Sequence, residues 1–194
     1  MISERPAPRA LWLVGILAVA AYAGACSDPF RMTAQFTNAT QPFTVHALTG
    51  TPNYFATALS LESNTTTKVD GSFSFDVAFD IDPSGNVVYL PPHTVGENPL
   101  GNRQVGIMKA TSTYTNVTEA PMSGYVYDSV TVAPLGVPVI VQAPSNNCSI
   151  YGLPNIYAKV VIDSVDTRTR TMWGRSLVDL NCTFRSLSEG MPTF

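Results

Sequence analysis

The stretch "FSFDVAFDIDPSGNVVYL", residues 73 to 90, decides the fold. Phe73, Phe75, Val77, Phe79 and Ile81 alternate with Ser74, Asp76, Ala78 and Asp80, so that large apolar side chains recur with a period of two. In an extended backbone successive side chains point to opposite faces, and this spacing predicts a strand with one face buried. The run stops at Asp82-Pro-Ser-Gly-Asn86, where Pro83 presets one dihedral angle and Gly85 or Asn86 tolerates positive φ. Val87-Val-Tyr-Leu90 then returns as a partner strand, and the unit reads as a β-hairpin. Asp80, Asp82, Ser84 and Asn86 also offer alternate oxygens in the manner of a calcium loop. However, the position that needs a bidentate acid in such a loop is Pro91. Turn geometry selects the same residues without a metal.

Outward from this hairpin the pattern repeats in weaker form. Val105 to Tyr114, Gly124 to Val132, Val137 to Gln142, Tyr157 to Val165 and Thr169 to Asn181 are β-rich runs bounded by Pro, Gly, Asn or Asp. Thr33 to Phe36, Phe43 to Leu48 and Tyr54 to Glu62 add more upstream. No stretch after residue 26 has helical period. The expectation is an all-β, antiparallel β-sandwich, immunoglobulin-like or jelly-roll-like, with about eight to ten strands. Pro138 in "GVPVIVQ" suggests an edge strand or a bulge.

The N-terminus carries a different signal. Arg5 and Arg9 precede an uncharged run from Ala10 to Cys26, shorter than the roughly 20 apolar residues of a comfortable membrane span. A secretory signal fits. Ala23-Gly24-Ala25 satisfies the small-x-small rule of an ordinary signal peptidase. It also resembles the lipobox of bacterial lipoproteins, with Ala23 where leucine is usual and Cys26 at the cut. "FDIDPSGNVVYLPP" and "DLNCTFRSLSEGMP" are similar to segments of exported bacterial lipoproteins that have no assigned activity. The resemblance implies residues 1–25 as signal peptide, 26–41 as lipidated N-terminus and tether, and 42–194 as a single β-sandwich domain. It implies acylation of Cys26 and hence the membrane as a partner. Ser27, in place of the aspartate that retains lipoproteins at the inner membrane, points to the outer membrane. Three cysteines leave an odd one in an exported chain. Acylation of Cys26 accounts for it and leaves Cys148 and Cys182 to pair, or to remain as two buried thiols.

Chemistry is sparse. There are only two histidines, His46 and His93, and no G-x-S-x-G or S-x-x-K motif, so no catalytic residues are assigned. Without H-E-x-x-H or C-x-x-C no metal and no cofactor is expected. "GENPLGNR", residues 96–103, places Asn102 where a phosphate loop needs lysine. The chain is net acidic at −3, which favours neither nucleic acid nor anionic lipid. Five N-x-S/T triplets, at Asn38, Asn64, Asn116, Asn147 and Asn181, are idle in a bacterial chain. "RTRTMWGR", residues 168–175, interleaves cations with Trp173. With Tyr125 and Tyr127, and with Tyr151 and Tyr157 beside them, it could form a carbohydrate platform. The alternative is a charged edge strand with Trp173 in the core. The expected function is therefore a lipid-anchored, non-enzymatic envelope protein that binds a protein or glycan partner or serves structurally. A carbohydrate-binding module comes second, and a hydrolase built on His46 or His93 last.

Overall fold

A computed structural model describes residues 32–96, 104–151, 155–182 and 184–193, except the side chains of 149–151. The expected signal peptide and Cys26 lie outside the described residues. Residues Ala34–Phe194 form one compact unit. It is an all-β, antiparallel sandwich of two five-stranded sheets, as the alternation predicts. The strands are β1 (Thr40–His46), β2 (Ala58–Ser60), β3 (Thr65–Thr67), β4 (Val77–Ile81), β5 (Val87–Leu90), β6 (Gly106–Lys109), β7 (Thr131–Ala133), β8 (Val139–Pro144), β9 (Asn155–Asp166) and β10 (Thr171–Asp179). One sheet has the order β1-β10-β9-β8-β6, the other β3-β2-β4-β5-β7.

The deciding hairpin forms between β4 and β5, with Phe79 opposite Tyr89 and Ile81 opposite Val87. In its turn Asp82 does most of the bonding. Its Oδ1 accepts from the Ser84 and Asn86 amides and its Oδ2 from Asn86 Nδ2, while Gly85 takes φ 85°. These bonds to the charged form hold the Asp82 carboxyl below the usual carboxylate range. The strand is shorter than its alternation. Phe73 adopts φ 49°, a left-handed conformation that an aromatic residue rarely takes, and β4 starts only at Val77, after a bend at Asp76. Phe75 packs with Phe73, Ala58 and Ala78 on the outer face of the sheet, not with Val77 and Phe79 between the sheets, so the period breaks between Phe75 and Val77. Asp76 is buried too, its carboxylate accepting from the Leu61 amide at 2.6 Å.

Val45, Leu59, Val77, Phe79, Tyr89, Ile107, Val141, Val160 and Met172 fill the space between the sheets, all fully buried. Each such side chain contributes about 1.5–3 kcal/mol. Tyr89 also crosses the core. Its hydroxyl accepts the Ile162 amide at 3.2 Å, at the point where a bulge opposite Trp173 and Gly174 shifts the β9–β10 register. An amide displaced from its ladder would otherwise be buried without a partner.

A second cluster lies on the outer face of the first sheet, where Tyr114, Val117, Ala120, Tyr125 and Leu187 cover Ile140, Val161 and Leu177. The segments Val105 to Tyr114 and Gly124 to Val132 are thus mostly covering loop, with β6, the start of β7 and an Ile107–Val126 bridge in extended pairing. β8 is interior, and Pro138 stands just ahead of its first residue, where the missing N–H removes no ladder bond. Cys148 and Cys182 form a disulfide that ties the 3-10 turn Asn146–Tyr151 to the chain beyond β10. Gln35 and Phe36, within the stretch expected to serve as a tether, are held to the fold. Both amides donate to Asn181 Oδ1, and Asn181 Nδ2 donates to the Phe36 carbonyl.

Candidate functional site

β10 carries the residues of interest because its alternation is uninterrupted. Met172 and Val178 face the inter-sheet core, and Leu177 faces the outer cluster. Trp173 and Arg175 share the parity of Leu177, and Trp173 is 43% exposed. Trp173 is therefore not in the core, and β10 is an interior strand, not a guarded edge. Between them Gly174 has no room for a side chain. A Cβ there would lie 2.3 Å from the Val161 carbonyl oxygen and 2.9 Å from both Ile162 Cδ1 and Phe43 Cζ. The absent side chain lets Phe43 of β1 lie across β10 and meet Phe79 of the opposite sheet, ring centroids 5.6 Å apart.

Asp163 enters through the bulge. Arg175 Nε donates to its Oδ2 at 2.8 Å and Nη2 to its Oδ1 at 2.9 Å, a two-pronged pair. The carboxylate raises the already high pKa of the guanidinium. Both side chains are about two-fifths exposed, so water screens their attraction and the pair fixes geometry more than stability. On its other side the guanidinium lies over the Tyr114 ring, 4.7 Å from the centroid. From the second sheet the β2–β3 turn approaches. Asn64 takes φ 48° there, and Ser176 Oγ donates to its Oδ1 at 2.8 Å.

These elements border a groove of about 690 Å³, whose walls include Phe43, Asn64, Thr65, Asp163, Trp173 and Arg175. It presents an indole, an amide, hydroxyls and a matched ion pair. A second depression of about 560 Å³ is lined by Glu62, Ser63, Ser72, Phe73, Pro144 and Asn146. Its acid is already engaged, since Glu62 Oε1 accepts from Ser145 Oγ and Asn147 Nδ2.

The tyrosines expected to join Trp173 do not reach it. Tyr125 is buried, donates to the Pro121 carbonyl at 2.9 Å and packs against Tyr157 at 6.4 Å. Tyr127 donates to Gln142 Oε1, and Gln142 Nε2 donates to the Tyr157 hydroxyl. Tyr157 pairs with Asp179 at one end of β10 and Ser164 with Trp173 at the other. At about 3.3 Å per residue the two aromatic groups are roughly 20 Å apart along the sheet. The Tyr151 side chain lies outside the described residues. His46 stacks on Phe55, ring centroids 4.1 Å apart, and His93 lies in the 3-10 turn Pro92–Val95. Among the described residues no three of His, Cys, Asp and Glu gather as a metal site.

Sequence reasoning missed Lys159. Despite its charge it is 4% exposed, donating to the Tyr114 and Val117 carbonyls at 2.9 and 3.0 Å and lying 4.4 Å from the Tyr114 ring centroid. Burial pushes its ammonium pKa down. The signal was present, since Lys159 interrupts the apolar run "YAKVVI". The partnership of Asp163 with Arg175 was not legible, because it depends on the bulge. No protein-family model, curated protein or solved structure matches this chain.

Proposed function

We propose that this chain is a lipid-anchored protein of the bacterial cell envelope, fastened to the outer membrane at Cys26, whose β-sandwich binds or scaffolds and does not catalyse. The observation that carries this reading is the Cys148–Cys182 disulfide. A bond of this kind belongs to an oxidising compartment, which agrees with an export signal. It also uses two of the three cysteines and leaves Cys26, directly after Ala23-Gly24-Ala25, as the odd one. Several acyl chains there, at about 0.8 kcal/mol per buried methylene, make a stable anchor where one chain is marginal. The compact unit starts at Ala34. At about 3.5 Å per residue the intervening chain keeps the sandwich within roughly 30 Å of the lipid surface.

The test is the intact mass of the protein from the membrane fraction of its host. The expected species begins at Cys26, carries added acyl mass and contains one disulfide. Cys26→Ser should move the protein out of the membrane fraction while leaving its β-sheet circular dichroism unchanged. A membrane fraction unaffected by that substitution refutes the anchor.

A further inference from the structure

We propose that the groove beside Trp173 binds a neutral oligosaccharide, one sugar ring lying on the indole with its hydroxyls bonding to the Asp163–Arg175 pair, and the rest of the oligosaccharide passing over the edge strand β1 to the turn at Asn64. This goes beyond the anchor and holds whether or not Cys26 is acylated.

Four features lead to this ligand class. Trp173 stays 43% exposed, although Tyr125 and Tyr114 on the same sheet face are both buried. A large exposed ring beside a concavity is the apolar half of a site, and about 690 Å³ lies within the range of ligand pockets. The polar half offers both hydrogen-bond senses: the Asp163 carboxylate accepts, the Arg175 guanidinium donates, and the Asn64 amide and Thr65 hydroxyl do either. A sugar hydroxyl is itself donor and acceptor, and the axial C–H face of a pyranose is the flat apolar surface an indole takes. Charge comes next. Asp163 and Arg175 neutralise each other at 2.8 and 2.9 Å, so the groove has no excess charge with which to select an anion or a cation. Finally, the polar groups are held before any ligand arrives. Arg175 is pinned between Asp163 and the Tyr114 ring, and Asn64 is bonded to Ser176. Such preorganisation reduces the ordering cost of binding.

The other occupant of a groove beside an edge strand is an added peptide strand. β1 is the edge here, and Pro42 within it lacks the N–H that a new strand would need as a donor.

The experiment uses the full chain with Trp12→Phe, which leaves Trp173 as its only tryptophan. Its emission is titrated with cellotetraose, maltotetraose and N-acetylchitotetraose, with an extended hexapeptide and dextran sulfate as the competing classes. The expected result is a saturable shift with at least one of the three sugars, unchanged by a roughly tenfold rise in salt. In calorimetry Trp173→Ala should weaken that binding at least about tenfold, Trp173→Phe should restore part of it, and Tyr127→Phe should leave it unchanged. Three results overturn the proposal: no saturable shift with any sugar up to about 10 mM, binding of the peptide or the sulfated polymer alone, or sugar binding that survives Trp173→Ala in a protein of native circular dichroism.

Discussion

Replacing Gly174 with alanine tests the close approach on which the sheet and the groove are both built. The new methyl group would stand 2.3 Å from the Val161 carbonyl oxygen, and 2.9 Å from Ile162 Cδ1 and Phe43 Cζ. Ile162 and Phe43 can turn slightly, but Val161 presents backbone of the interior strand β9, paired on both sides. Relief needs nearly 1 Å of separation between β10 and β9, enough to carry ladder bonds of about 2.9 Å past their useful range. Two such bonds at about 1 kcal/mol each, added to an overpacking cost of about 1–3 kcal/mol, give roughly 3–5 kcal/mol. For a domain of this size that is a fall in Tm of about 10–15 °C. The control is Gly71→Ala, where an added Cβ meets nothing within 4 Å and φ is not positive. There the smaller unfolded-state entropy should leave stability unchanged or raise it by up to about 1 kcal/mol. Equilibrium urea unfolding, followed by circular dichroism, measures both. If the two variants agree within about 0.5 kcal/mol, Gly174 is not pressed against β9 and the bulge register is wrong.

The Cys148–Cys182 bond spans a sequence separation of 34, for which chain entropy gives a contribution of about 4 kcal/mol. Reduction, or the paired change Cys148→Ala with Cys182→Ala, should lower Tm by about 10 °C, and a loss under about 1 kcal/mol would deny the crosslink that role. Asp179 is fully buried, and its Oδ2 lacks a hydrogen-bond partner although the Asn38 side chain and the Ser186 amide are near. Burial raises its pKa above the ordinary 3.8. The folded state then holds this proton more tightly than the unfolded chain, so the stability it confers is full at low pH. That stability is lost as pH rises from about 3.8 through the raised value. Asp179→Asn keeps an acceptor for the Asn181 amide and cannot ionise. Relative to it, the parent protein should lose stability as pH rises through that window, as read by urea midpoints across a pH series. A difference that does not change with pH, or changes in the opposite direction, would refute the burial argument.

The division between chain and fold is clearest at two aromatic positions. At Phe79 and Ile81 the alternation, the Asp82–Asn86 turn and the return through Val87 and Tyr89 are local properties, and the hairpin forms as the residues dictate. At Phe73 and Phe75 the same period continues in the sequence. However, the bend at Asp76 ends it and leaves Phe73 and Phe75 on the other face. Trp173 shows the converse. Its parity on β10 was readable from "TMWGR", but parity names a face without saying whether anything lies over it. The covering loop around Tyr114 to Tyr125 buries one end of that face and stops short of the other. Tyr125 and Tyr127 therefore became packing residues while Trp173 stayed in contact with water. Sequence alone determined the all-β class, the deciding hairpin and the odd number of cysteines, because strand period, turn chemistry and cysteine parity depend only on residue identity and order. Tertiary structure decided which strands pair, where the β9 bulge seats Asp163 against Arg175, and which aromatic remains exposed. Those outcomes rest on contacts between segments far apart in the chain, and no local period encodes them.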